Sequence, residues 1–475
     1  MSVRRFVILG ALLAVFACQV SAETIDGLPL HIEKLSAKAI RLWVGDYQST
    51  TSVIALATKK GIVVVDTTEW PSLDAKLRKV IAREFGRDDF KLLINTHEHG
   101  DHTYGNQVYD DCVIIAHENC AKGMKASLSD LDRFVEWHTT RIAQLEEQLK
   151  AADGDGEASA QLAEELHLAK LTASDLASFK LTPPTKSFTD SQKLDLGDMT
   201  LELYAVGGIH SASDIFIMIP EEGLLLTGDL MADKWLTDVP GCLATFGIRP
   251  GVERDVPLLL KNWESLIARK DEIKRYIPGH WNGELSFAGF ESRYNYVKTM
   301  YKGIGQAVKA GKKFSEISAD FAMEKRFPEL VGSPGFYPER HATSVRTVWC
   351  DTTGAKSAAE ALLAMIEKAG AEKALKKLET VYAEESNAFY FDEVEFNALG
   401  YRFINEKKLQ EAIAVFKINV KMNPKSWNVY DSLAEAHMLN GDTELAVKLY
   451  NKSLEINPDN NNGKQMLERI KTAKK

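Results

Sequence analysis

The sequence has few cysteines, no cluster of basic residues and, beyond its N-terminal segment, no long apolar run. Five widely spaced cysteines in 475 residues are typical neither of a disulfide scaffold nor of a zinc ribbon. The formal net charge is −9, and without clustered Lys and Arg we expect no binding to nucleic acid. Without a second long apolar run we expect no stable membrane span. The spacing leaves open whether four cysteines pair: Cys112, Cys120, Cys242 and Cys350.

The N-terminal segment resembles a secretory signal. Arg4 and Arg5 precede an apolar run over 6–17, and small residues follow at Val20-Ser21-Ala22. This layout predicts a signal peptide over 1–22 that is cleaved after Ala22. We therefore expect a periplasmic or secreted protein.

Three histidines and an aspartate lie within six consecutive residues, His97-Glu98-His99-Gly100-Asp101-His102, directly after the apolar run 91–94. In an extended segment His97 and His99 point to the same side, because side chains alternate with a period of two. Asp101 and His102 come where the chain can turn into the next helix, so they are directed at a second point nearby. The motif therefore predicts two metal ions side by side.

Three further candidate ligands follow predicted strands downstream. Each is weak evidence alone, but together they repeat one pattern, in which a strand ends in glycine and a ligand follows. This pattern sets four loops along one edge of the predicted sheets. The ligands are His210 after Gly207-Gly208-Ile209, Asp229 after Leu226-Thr227-Gly228, and His280 after Pro278-Gly279.

Strands interrupted by single helices predict an α/β sandwich with helices covering its sheets. The predicted strands are 40–44, 53–57, 62–65, 92–94, 113–116, 199–206, 215–219, 224–227 and 276–277, and the predicted helices are 72–85 and 255–268. Within an insertion over 120–180, the segment 128–177 predicts two antiparallel helices joined by the polar turn 153–156. This hairpin could cover the active site as a lid or pair two subunits.

The C-terminal part repeats with a period of 34 residues. The matched pairs are Asn397 and Asp431, Leu399 and Leu433, Ala412 and Ala446, and Phe416 and Tyr450, with Asn-Pro closing each unit at 423–424 and 457–458. This period resembles tetratricopeptide repeats. We expect an all-α repeat module over 393–475, preceded by a helical region over 311–392. It could bind a protein partner or mediate self-association.

The set His97, His99, Asp101, His102, His210, Asp229 and His280 resembles the metallo-β-lactamase superfamily, over roughly 35–302. The resemblance implies an αββα sandwich for residues 23–310. It also implies one metal at His97, His99 and His210, and a second at Asp101, His102 and His280. Asp229 and a hydroxide would bridge the two metals, and Asp101 is carried over as a catalytic residue. Asp66, at the end of the run 63–65, fits the same pattern and is expected to hydrogen-bond the ligand loop.

The expected function is an exported metal-dependent hydrolase that cleaves a small ester, thioester, lactone or amide. Imidazole and carboxylate ligands suit Zn²⁺, expected at two ions per chain, although iron or manganese could occupy the same ligands. One alternative is a mononuclear iron persulfide dioxygenase, although its relatives usually carry Glu where His99 stands. Another is a repeat-based scaffold protein with a vestigial metal site.

Overall fold

The computed structural model describes residues 23–46, 50–128, 131–152, 156–231, 248–280, 285–331, 338–384 and 387–473. The predicted signal peptide and Cys242 lie outside these residues. The described residues divide into two compact units, the first comprising those up to 231 with 252–291, and the second 248–251 with those from 292 onwards. The predicted domain boundaries at 310 and 392 stay predictions.

The first unit contains an eight-stranded sheet whose strands lie in sequence order. The strands are β1 (Thr24–Ile25), β2 (Leu28–Lys34), β3 (Ala39–Val44), β4 (Val53–Thr58), β5 (Gly61–Val65), β6 (Phe90–Ile94), β7 (Val113–His117) and β8 (Lys186–Phe188). Neighbours from β1 to β5 pair antiparallel, whereas β5, β6, β7 and β8 pair parallel. The carboxyl ends of β5, β6 and β7 therefore meet at one edge of the sheet.

A second, five-stranded sheet has the order β13, β12, β11, β10, β9. Its strands are β9 (Ser191–Asp195), β10 (Thr200–Ala205), β11 (Ile215–Ile219), β12 (Leu224–Gly228) and β13 (Arg275–Pro278). Only the β12–β13 pair is parallel among these strands.

Alternation along the strands produces the layers. On β5, Val63 and Val65 belong to a core shared with the second sheet, whereas Val64 belongs to a core shared with the covering helices. Because both faces are buried, the strand is a continuous apolar run. On β11, Ile217 packs in the core between the sheets, and the Phe216 ring lies 5.3 Å from that of Trp263 on a helix. The result is the αββα sandwich.

The helices of the first unit include α1 and α5, which cover the first sheet, and α6, which carries Trp263. They are α1 (Pro71–Phe85), α2 (Gly100–Thr103), α3 (Asn119–Ser127), α4 (Leu131–Ala151), α5 (Glu157–Leu176) and α6 (Val256–Ala268). The predicted strands, helices and the α4–α5 hairpin are confirmed. The sequence analysis missed β1, β2, β8 and β9. The residues of β8 and β9 are mostly exposed and show no apolar alternation.

The second unit is mainly helical, and its helices are α7 (Phe287–Lys309, beginning in the first unit), α8 (Phe314–Asp320), α9 (Met323–Arg326), α10 (Pro338–Thr353), α11 (Ala358–Ala369), α12 (Ala371–Ala383), α13 (Glu393–Asn405), α14 (Leu409–Met422), α15 (Trp427–Leu439), α16 (Thr443–Ile456) and α17 (Asn461–Ala473). Two short strands, β14 (Lys356–Ser357) and β15 (Phe389–Tyr390), pair parallel.

The repeat positions found in the sequence lie in the cores of this helical module. Ala412, Phe416, Ala446 and Tyr450 are fully buried. A Cβ at Gly400 would lie 2.3 Å from the Phe416 ring, so α13 and α14 need a residue without a side chain at their contact. Across the described residues, every helix is too short or too polar to cross a bilayer.

Candidate metal centre

The strand ends bring the predicted ligands to one edge of the sandwich. The segment after β6 leads into His97 and His99, and α2 follows with Asp101 and His102. Asp229 follows β12 directly, and His280 comes two residues after β13. Because β12 and β13 are parallel, their carboxyl ends lie together. The seven residues form two groups, within each of which the potential ligand atoms lie within 4.8 Å of one another.

The first group consists of His97, His99 and His210. His99 Nδ1 lies 2.9 Å from His97 Nε2 and 2.8 Å from His210 Nε2. The rings of His97 and His210 are edge-on, with centroids 4.8 Å apart. Three ring nitrogens therefore converge on one point.

The second group consists of Asp101, His102, Asp229 and His280. His280 Nε2 lies 3.1 Å from Asp101 Oδ2 and 3.2 Å from His102 Nε2. Its distance to Asp229 Oδ2 is also 3.2 Å. Asp229 Oδ2 lies 3.5 Å from His210 Nε2 and 4.0 Å from His97 Nε2 as well. The Asp229 carboxylate thus lies between the two groups.

Asp66 and Thr96 orient two of these rings. Asp66 accepts hydrogen bonds from the Thr96 amide and hydroxyl, each at 2.7 Å, which confirms its predicted contact with the ligand loop. Because the Thr96 hydroxyl donates to Asp66, it can only accept from His97 Nδ1, 3.1 Å away. His102 Nδ1 lies 3.0 Å from Asp66 Oδ2, which can only accept. Both rings therefore direct Nε2 towards the centre.

The backbone of Asp66 is left-handed, with φ of 60°. This conformation costs free energy for a residue with a side chain, although Asp tolerates it better than most residues. The turn at Asp66 allows its carboxylate to reach both Thr96 and His102. Backbone strain at this point therefore accompanies the orientation of the ligand loop.

Two acidic residues that the sequence analysis did not select as site residues accept hydrogen bonds from the loop that carries His210. Glu98, between the first two histidines, accepts hydrogen bonds from the Ala212 amide and from the Ser213 hydroxyl. Asp214 is buried and accepts hydrogen bonds from the amides of His210 and Ser211, at 3.0 and 2.8 Å. Glu98 thus joins the first ligand loop to that of His210. No local sequence signal reveals a contact across more than a hundred residues.

Most of the candidate ligands are buried, but two of them are partly exposed. His97, His102, His210, Asp229 and His280 are each less than a tenth exposed, whereas His99 and Asp101 are half-buried. Among the seven candidate ligands, His99 and Asp101 are therefore the most accessible.

The histidines fall into two classes by pKa. Burial and the neighbouring rings of His102 and His99 hold the pKa of His97 well below its ordinary value. Burial opposes protonation of His102 and His280 as well, but the carboxylates of Asp229 and Asp101 prevail. They raise the pKa of His102 well above its ordinary value and that of His280 to about 10. Despite burial, the His102 and His280 charges lower the pKa of Asp101.

Another acidic group, Glu69, lies in the segment between Asp66 and α1 and is half-buried. Burial, together with the Asp101 charge, raises the pKa of Glu69 to about 8, and His280 opposes this rise. The sequence analysis did not select Glu69, although its position just after β5 resembles that of the ligands after β6 and β12.

The donor set fits metal cations. A ring nitrogen offers one proton or one lone pair, so His99 Nδ1 cannot satisfy both His97 Nε2 and His210 Nε2 by hydrogen bonding. A cation accepts all three lone pairs, and neutral imidazoles suit it because His97 resists protonation. In the second group, the raised pKa values of His102 and His280 show that excess negative charge attracts protons. A cation would replace those protons. Imidazole with carboxylate suits zinc, iron or manganese.

Comparison with known proteins points to one family for the first unit. The sequence profile of the metallo-beta-lactamase superfamily matches residues 44–280, and a tetratricopeptide repeat profile matches residues 427–460. A type 2 metallo-beta-lactamase of Bacteroides fragilis is 30% identical over 107 residues, which are 22% of this chain and 39% of that protein. The match thus spans well under half of that relative.

Two solved structures are similar at low sequence identity. A metallo-beta-lactamase from Pontibacter korlensis has a TM-score of 0.36 and 16% identity, over 57% of this chain and 99% of its own. A stereoselective inverting sec-alkylsulfatase from Pseudomonas sp. has a TM-score of 0.45 and 14% identity, over 90% of this chain and 66% of its own.

Proposed function

Residues 44–280 belong to the metallo-beta-lactamase superfamily, and we propose from this premise that the chain is a metal-dependent hydrolase with a dinuclear centre. Its substrate is a small ester, thioester, lactone or amide. Zn²⁺ is the proposed metal at two ions per chain, and iron or manganese would fit the same ligands.

One observation carries the proposal, namely the convergence of seven side chains from four separate segments into two adjacent groups that share the Asp229 carboxylate. His97, His99 and His210 would hold one cation, and Asp101, His102 and His280 the other. Asp229 would contact both. A purely structural zinc site needs four ligands around one ion, so two adjacent groups with a half-buried side favour catalysis.

Two cations bound in this way would lower the pKa of a water molecule between them from about 15.7 to near neutrality. The chain itself directs the ligand nitrogens through Asp66 and Thr96 and excludes solvent on the buried side of the centre. Asp101, a catalytic residue in this proposal, stays ionised because its pKa is lowered. Its half-buried position supports this role, because a substrate could contact it.

The test combines metal analysis of the full chain with a panel of ester, thioester, lactone, β-lactam and alkyl sulfate substrates. We expect about two zinc ions per chain and hydrolysis of at least one class. Chelation should abolish this activity, and added Zn²⁺ should restore it. A folded chain that retains no metal after dialysis against Zn²⁺ would overturn the proposal.

Metal analysis tests the first alternative, and a variant at a ligand tests the second. One iron per chain with oxygen uptake in the presence of a persulfide would indicate the dioxygenase. If His97→Ala abolished metal binding but left the cellular role unchanged, the scaffold function would be favoured instead.

We propose in addition that the repeat module contacts a protein partner or a second copy of this chain, and that the protein is exported. The match of residues 427–460 to a tetratricopeptide repeat supports the first point, and the sequence of residues 1–22 supports the second. Mass spectrometry of the N-terminus after fractionation tests export, with a new N-terminus at Glu23 as the expected result.

A further inference from the structure

The segment before β4 contacts both loops that carry the second ligand group. The Thr51 hydroxyl donates to the Asp101 carbonyl at 2.6 Å, and Thr51 also forms an isolated antiparallel bridge with His280. The Ser52 amide donates to the Gly279 carbonyl at 2.7 Å. One short segment therefore holds the backbone of Asp101 and of His280, which lie far apart in the sequence.

A buried arginine supports the same segment from β3. The Arg41 side chain is fully buried, its Nε donates to the Ser52 hydroxyl at 3.0 Å, and an Nη donates to the His280 carbonyl at 3.4 Å. The Glu33 carboxylate lies 3.7 Å away. A buried guanidinium is costly unless paired, so its contacts are expected to be rigid. Arg41 thus connects Ser52 with the loop of His280.

The first ligand group has a different support. Thr96 contacts His97, Glu98 joins the loop of His99 to residues 212–213, and Asp214 holds the amide of His210. Among the described residues, neither Arg41, Thr51 nor Ser52 contacts these three histidines. The Asp66–Thr96 pair contacts one ring of each group, whereas the contacts of Arg41, Thr51 and Ser52 reach only the loops of the second group.

We propose that Arg41, Thr51 and Ser52 act as a brace for the second ligand group and set the affinity of the second cation without setting that of the first. This inference rests on the proposed metal centre. These positioning residues contact the backbone of two ligand residues rather than any cation. Loss of such outer contacts lowers metal affinity by about 10- to 100-fold.

Thr51→Val tests the brace, because valine keeps the shape of threonine and removes only the hydroxyl. Metal-free full-length protein is titrated with Zn²⁺ in competition with a chromophoric chelator, which resolves the two affinities. We expect the second affinity to fall about 10- to 100-fold and the first to change less than about twofold. Metal content after dialysis should fall from about two ions to about one.

Thr58→Val is the matched control. Thr58 is the last residue of β4, the strand that Thr51 precedes. It is equally buried and donates to the Gly61 carbonyl at 2.7 Å, yet it contacts neither ligand loop among the described residues. It should leave both affinities unchanged. Arg41→Lys provides a second variant, because a lysine cannot donate to Ser52 and His280 in the same fork geometry. It should weaken the second affinity in the same direction.

The outcomes separate failure of the brace from failure of the proposed function. If wild-type protein binds no metal, the metal centre itself is wrong. If wild-type protein binds two ions and Thr51→Val binds both as tightly, or loses both affinities equally, the brace is overturned and the metal centre stands. Circular dichroism of each variant shows whether a loss of both affinities comes from unfolding.

Discussion

At the residue scale, the centre combines groups whose charges depend on each other. His97 resists protonation, whereas His102 and His280 take protons because Asp101 and Asp229 lie beside them. The two carboxylates thus favour the binding of a positive charge at the second group, whether that charge is a proton or a metal ion. Protons and metal ions compete for the same atoms, so pH controls both the stability of the metal-free protein and its affinity for metal.

The first prediction concerns this competition. The pKa of His280 is raised to about 10 in the metal-free protein, and that of His102 is raised as well. The Nε2 atoms of His102 and His280 lie 3.2 Å apart, a distance that accommodates a proton on one of them. The second cation should therefore release at least one proton on binding near pH 7. Calorimetric titrations in buffers with different ionisation enthalpies measure this number. Release of no proton near pH 7 would contradict the assignment of His102 and His280 to the second cation.

The raised pKa of His280 also determines how the stability of the metal-free protein depends on pH. A group whose pKa is raised on folding stabilises the folded state below its unfolded pKa, and this contribution is lost as pH rises through the folded value. For His280 the window therefore runs from about pH 6.5 to about 10. We expect the free energy of unfolding of the metal-free protein to fall across this window. The decline should be smaller in His280→Gln.

A second prediction tests the shared carboxylate. Asp229→Asn keeps the size of the side chain but removes the charge that faces both groups. We expect the metal content to fall from about two ions to one or fewer, and activity to fall at least about 100-fold. Asp198→Asn is the control, because Asp198 pairs with Lys38 away from the centre. Full metal content in Asp229→Asn would contradict a bridging role.

At the element scale, the ligand loops pack so closely that glycine is required at one point. A Cβ at Gly279 would lie 2.4 Å from Asp229 Oδ1 and 3.0 Å from the Gly228 carbonyl carbon. The β12 and β13 ends can approach only because this position has no side chain.

Gly279→Ala is therefore the third prediction. The added methyl group should displace Asp229 and reduce metal content to about one ion or less, with activity lowered at least about 100-fold. Gly305→Ala is the control, because a Cβ there meets no atom within 4 Å and its helix favours alanine. Unchanged metal binding in Gly279→Ala would contradict this prediction, because the loops of Asp229 and His280 would then be able to make room for the methyl group.

The α4–α5 hairpin is attached to the sandwich by buried polar contacts. The Trp70 indole donates to the Thr172 hydroxyl at 2.8 Å, and the Ser72 amide and hydroxyl donate to Asp175 at 2.9 Å. Trp70 and Ser72 flank the start of α1, directly after Glu69. The hairpin thus supports the segment that lines the Glu69 side of the centre.

The fourth prediction follows from the indole contact. Thr172→Val leaves the buried Trp70 N–H without its acceptor, which should lower the free energy of unfolding by about 1–3 kcal/mol. Thr139→Val on exposed α4 removes a hydroxyl that bonds within its own helix and should change stability by less than about 0.5 kcal/mol. Urea denaturation of both variants compares the two. Equal effects would show that the indole contact contributes little.

These contacts also show what the sequence could predict. Most of the strands followed from apolar runs, and the four ligands between His97 and His102 followed from their spacing, since both signals are local. His210, Asp229 and His280 followed only from their positions after predicted strands, together with the resemblance to the superfamily. The roles of Glu98 and Arg41 did not follow from the sequence, because each contacts residues that only the fold brings near. Asp214 contacts the nearby residues His210 and Ser211, but nothing in its local sequence distinguished it from an ordinary loop aspartate. Asp66 was found only because it ends a strand in the same way as the ligands do.

At the scale of the whole molecule, all seven candidate ligands lie in the first unit and the repeat core lies in the second. Metal binding can therefore stabilise one unit directly and leave the other unchanged. A ligand at a thousand times its dissociation constant stabilises a folded unit by about 4 kcal/mol. For a unit of about 150–250 residues this corresponds to a shift of about 10 °C in the melting temperature.

The last prediction is that calorimetry of the full chain resolves two unfolding transitions. Chelation should lower the melting temperature of only one of them, by about 10 °C. Phe416→Ala identifies the other, because Phe416 is fully buried in the repeat core and its loss should cost about 3–5 kcal/mol. The transition whose melting temperature falls in Phe416→Ala should keep the same melting temperature when the chelator is added. If one transition responds to both changes, the two units unfold together, and metal binding in the sandwich then contributes to the stability of the repeats as well.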